Sequence, residues 1–104
     1  MSTATHVHTL REYIDQAMPI LMEIPGFSAL AAATEQDYNA TAVAYPDATF
    51  TMMLMNNLFH HDLEFAAIHQ QAFSAIVHGA DIPSVRKRYD LCMDAYWQKH
   101  LWDD

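Results

Sequence analysis

Two glycines, one cysteine and five basic side chains among 104 residues are the scarcities of this sequence, and each removes a class of function. Gly26 and Gly79 both stand where an apolar periodic stretch stops, so no glycine-rich loop is left to bring backbone amides against a phosphate. Nucleotide-binding folds of the common kinds are excluded. A lone Cys92 cannot close an internal disulfide, and no paired-cysteine metal motif or nucleophile-elbow serine is present. That usage fits a reducing cytosol. Five basic against thirteen acidic residues give a formal charge of −8, a surface that repels phosphate backbones, and direct nucleic-acid binding is not expected. No run of eighteen apolar residues is free of polar interruption, and Met1 to Thr9 has no basic segment leading into an apolar one. We expect no membrane span, no secretory signal and a cytoplasmic location.

What the sequence does hold is apolar residues, 52% of the chain, enough for one core and too few residues for two ordinary domains. Residues 1–104 read as a single helical domain, with 1–8 a flexible N-terminal segment. Thr9-Leu10-Arg11-Glu12 is a capping box that should start a first helix, whose stripe is Leu10, Tyr13, Ile14, Ala17, Leu21 and Ile24. Pro19 should bend it and Pro25-Gly26 end it. Ser28 or Thr34 can cap an alanine-rich helix running toward Tyr45. A β-hairpin at 41–53 is the alternative, since both arms around Pro46-Asp47-Ala48 carry β-branched and aromatic residues. The helical reading is preferred because the stripe through Leu54 and Leu58 needs Phe50 on a helix.

From Pro46 or Asp47 the stripe Phe50, Leu54, Leu58, Phe65, Ile68, Ala72 and Ile76 runs to Gly79. Unbroken, it would be nearly 50 Å long at about 1.5 Å per residue, too long for this domain. A break at Asn56-Asn57 or His60-His61-Asp62 is expected, with Asp62 capping the second half. The last helix should open at Asp81-Ile82-Pro83-Ser84, with Val85, Tyr89, Cys92, Met93, Tyr96 and His100 inward. The fold class is all-α: a four- or five-helix, mostly antiparallel bundle.

Chemistry-bearing residues concentrate beside this break. His60 and Glu64 are four apart and His61 and Glu64 three apart, so on one helix they approach each other. With His69 they form the candidate metal set for zinc or iron, completed by a second helix or subunit because His69 lies too far along the axis. The plainer reading is a hydrogen-bonded, mostly buried His61 among surface polar residues. Arg86, Lys87 and Arg88 hold three of the five basic charges in the opening turns of the last helix, a candidate site for an anion or acidic partner. Ordinary pairing, such as Arg86 with Asp90, is the alternative.

Leu91, Trp97, Leu101 and Trp102 fall outside the inward stripe of the last helix and suggest a second contact surface. The sequence therefore points to a small acidic cytosolic protein, non-enzymatic, acting on a protein partner or on itself as a homodimer. A helical metal or ligand site is the rival reading, and an acidic mimic that blocks a nucleic-acid-binding protein is a third. Seven histidines could move the formal charge from −8 to about −1 if all were protonated below their usual pKa of about 6.5.

Overall fold

Local capping and turn chemistry divide the chain into six helices among the residues described by the computed structural model, which gives the backbone of residues 3–102 and the side chains of residues 11–101. They are α1 (Thr3–Leu21), α2 (Phe27–Ala32), α3 (Tyr38–Ala44), α4 (Pro46–Asn56), α5 (Leu63–Val77) and α6 (Ile82–Trp102). No strand occurs among the described residues, and 41–53 is helical on both sides of Tyr45. No helix among them is long and apolar enough to cross a membrane.

Helix α1 begins at Thr3, so Thr9 lies inside the helix rather than at its cap. Pro19 sits in the final turn, where its missing donor costs only one bond, and the helix runs through it to Leu21. Gly26, at a φ of 84°, then reverses the chain into α2, and the ring of Tyr45 rests on its α-carbon. The alanine-rich stretch breaks at Ala33, which gives one helix more than four or five. Thr34 causes the restart: its Oγ1 accepts from the Asp37 amide at 3.3 Å and donates to Asp37 Oδ2 at 2.9 Å. Ser28 caps nothing and donates instead to Met22 Sδ.

Pro46 opens α4 at a first-turn position, and the Thr49 hydroxyl ties α3 to α4 through the carbonyls of Ala42 and Tyr45. The expected break comes at 57–62. Asp62 Oδ1 caps α5 by accepting from the amides of Glu64 and Phe65, and Gln70 Nε2 donates to Leu58 O at 2.8 Å, clamping the connection onto the new helix. At its other end α5 stops on Gly79, φ 94°, with Ala80 N donating to Ala75 O. Asp81 Oδ2 accepts from the amide and hydroxyl of Ser84 to start α6.

Leu21, Phe27, Leu30, Phe50, Leu54, Leu58, Phe73 and Ile76 form the buried centre. Antiparallel α5 and α6 are fastened at two levels, by Asp62 with Tyr96 and by His69 with Tyr89. Tyr13 lays α1 against α5, edge-on to Phe73.

The break also corrects the assignment of the buried histidine. A single stripe drawn across 50–76 puts His61 inside, whereas the turn at 57–62 resets the helical phase. His61 is exposed, and His69, on the same face of α5 as Phe65, Phe73 and Ile76, is fully buried.

Candidate functional site

Aromatic and titratable side chains form one continuous group between α5 and α6. His61 stacks on His60 at 4.3 Å between centroids, His60 lies 4.4 Å from Phe65, Phe65 lies 4.3 Å from His69, and His69 lies 5.1 Å from Tyr89. Tyr89 meets Phe50 edge-on at 5.2 Å, and the Arg86 guanidinium carbon stands 5.7 Å from that ring's centroid. The group runs from the surface at His61 through the core to Arg86.

At its centre both nitrogens of His69 are bonded: Nδ1 is 2.8 Å from the Phe65 carbonyl oxygen and Nε2 is 2.9 Å from the Tyr89 hydroxyl. A carbonyl only accepts, so Nδ1 carries the proton and the lone pair of neutral Nε2 receives the Tyr89 O–H. The sulfur of Met53, 3.7 Å from the same hydroxyl, is the weaker competitor for that proton. Burial, the largest influence, pushes the His69 pKa below 6.5; the Phe65 carbonyl opposes this and the neighbouring His60 adds to it. Burial and then Asp90 push the Tyr89 phenol upward. The neutral pair is the stable one.

Toward the α5 N-terminus, Tyr96 donates a hydrogen bond to Asp62 Oδ2. That bond, the amide of Phe65 and the amide of Glu64 hold the carboxyl below its usual value, and the same bond lifts Tyr96 to about 12. Glu64 faces outward to Lys99 Nζ at 3.2 Å, and His100 Nε2 lies 4.0 Å from the same carboxylate oxygen. Although the His100 side chain is 42% exposed, its Nε2 is shielded and makes no hydrogen bond.

The expected site residues are thus distributed rather than gathered. His60 Nδ1 accepts from the Asp62 amide, His61 is solvent-facing, Glu64 pairs with Lys99 and His69 is committed to Tyr89. Among the described residues no three His, Cys, Asp or Glu side chains converge to hold a metal ion. Arg86, Lys87 and Arg88, about 100° apart around α6, also diverge: Arg86 turns to Phe50, Lys87 is exposed, and Arg88 borders a groove on the α5 side. Neither Arg86 nor Arg88 has a carboxylate within ion-pair distance among the described residues.

Leu91, Trp97 and Leu101 are exposed, and the Trp102 side chain lies outside the described residues. Leu91 stands ten residues, about 15 Å, from Leu101 along α6. Phe59 and Leu63 join Trp97 and Leu101 at one end of the α5–α6 pair, the end fastened by Asp62, Glu64, Tyr96 and Lys99. Sequence reasoning did not single out these two: Asp62 was expected to cap the second half, and the consequence, Leu63 in an unsheltered first turn, follows from that cap. Comparison with protein-family models, curated proteins and solved structures gives no match to this chain.

Proposed function

We propose that this protein acts by protein–protein contact, as a non-catalytic regulator, inhibitor or accessory subunit in the cytoplasm, through the end of the α5–α6 pair. The observation that supports this is the exposure there of Leu63 at 82% and Leu101 at 73%, with Phe59 and Trp97 about half exposed. A large apolar side chain left in water forgoes about 1.5–3 kcal/mol of burial, and several at one end with a polar rim are what a contact surface requires. Glu64, Lys99 and His100 supply that rim.

Charge selects between partners. At −8, two copies of the chain repel each other at neutral pH, while a basic partner is drawn in. Self-association, the second mode, is expected to strengthen from pH 8 to 5.5 as histidines take up protons.

The reading is tested by placing a photo-crosslinking residue at position 101 and, as a control, at exposed position 35 in cells producing the protein. A discrete adduct with a basic protein, formed from 101 and absent from 35, supports it. Identical adduct patterns from both positions overturn it.

A further inference from the structure

On one side the seam between α5 and α6 stays open as a groove of about 350 Å3, within the range of small-molecule sites. Ile68, Ala72 and Ala75 form one wall, and Arg88, Tyr89 and Cys92 the other. Each set recurs at helical spacing, so both helices turn a face into the seam. Two alanines and a cysteine are too short to fill it, which departs from the close packing of protein interiors. The lining is mostly apolar, and Arg88 is its one charged group.

We propose that this groove binds a small amphipathic monocarboxylate, its apolar body along Ile68, Ala72 and Ala75 and its carboxylate on the guanidinium of Arg88. Arg88 has no carboxylate within ion-pair distance among the described residues, so its planar donors are free for a bidentate acceptor. The groove lies at the small end of ligand sites, so a medium-chain acid such as decanoate serves as the probe. Net charge decides the head group. A chain at −8 repels anions at long range, so a single guanidinium offsets one negative charge better than the two of a phosphate dianion. This site is separate from the α5–α6 end proposed for partner contact, and either can fail without the other.

Decanoate and 1-decanol share an apolar chain and differ in charge, and calorimetric titration of each against the full chain separates the anion site from apolar adhesion. Decanoate is expected to bind one-to-one and to slow alkylation of Cys92, the single cysteine, by iodoacetamide. Arg88→Gln should weaken decanoate about tenfold or more and leave decanol unchanged. Ala80→Phe, at an exposed position bordering the groove, should block both while leaving the circular dichroism and melting curve intact; Ala75→Leu repeats the test within the α5 wall. Absence of saturable decanoate binding, binding indifferent to Arg88→Gln, or an unprotected Cys92 overturns the proposal.

Discussion

The hydroxyl of Tyr89 on α6 donates to the unprotonated nitrogen of the fully buried His69 on α5, across 2.9 Å. Tyr89→Phe keeps the ring and strands Nε2 without a donor, so it should cost about 1–3 kcal/mol in urea unfolding. His69→Phe leaves the Tyr89 hydroxyl only the weak acceptor Met53 Sδ. The double variant should cost less than the two single changes added together, by about 1 kcal/mol, because neither poorly bonded group survives in it. Nitrogen-15 spectra should report the Nδ1–H tautomer, and an Nε2–H signal would contradict the arrangement.

Stability should fall on mild acidification because of His69. Its folded pKa lies below 6.5, so the unfolded chain takes up the proton first. This contribution is complete above about pH 6.5 and is lost as pH drops toward the folded value. Unfolding of the wild type and of His69→Phe, compared between pH 7.5 and 5, should show the steeper decline in the wild type. Parallel curves would show that His69 is not buried as a neutral ring.

Asp62 and Tyr96 set two further boundaries. The Asp62 carboxyl is lowered from 3.8, so its contribution holds above that value and is lost below it; Tyr96 is raised from 10.0 to about 12, so its contribution is lost as pH climbs through that range. Tyr96→Phe should lower the melting temperature at pH 7 and lose its effect at both extremes. Asp62→Ala, which also uncaps α5, should lower it further and speed hydrogen exchange at the amides of Glu64 and Phe65. Equal melting temperatures for the two variants would refute the capping role.

Gly26 and Gly79 both hold positive φ, yet only Gly26 is covered, by the Tyr45 ring. Gly79→Ala meets open space and should cost only the left-handed penalty, about 1–2 kcal/mol. Gly26→Ala must also displace the ring and should cost more. Tyr45→Ala should reduce the extra cost of Gly26→Ala and leave that of Gly79→Ala unchanged, as thermal unfolding of the three single and two double variants can establish.

Helix ends written in short side chains are legible in the sequence: Pro46, Asp62, Gly79 and Asp81 each act within one turn of their own position. Ala33 was not legible as a break, because an alanine run favours helix everywhere and only Thr34 with Asp37 marks the restart. Among the candidate site residues, Leu91, Trp97 and Leu101 were recognised as outward-facing from their spacing alone. Their companions Phe59 and Leu63 were not, since pairing of α5 with α6 brings together residues more than thirty positions apart.

By itself, then, the sequence determined an acidic, all-helical chain and the helix ends from Pro46 to Asp81, because charge and capping are properties of residues near one another in the chain. Which histidine is buried, which arginine borders the groove and which apolar side chains stay in water were decided by tertiary structure. Those outcomes depend on the phase that each helix takes after its turn and on the neighbour it then faces, and neither is encoded in spacing along a single segment.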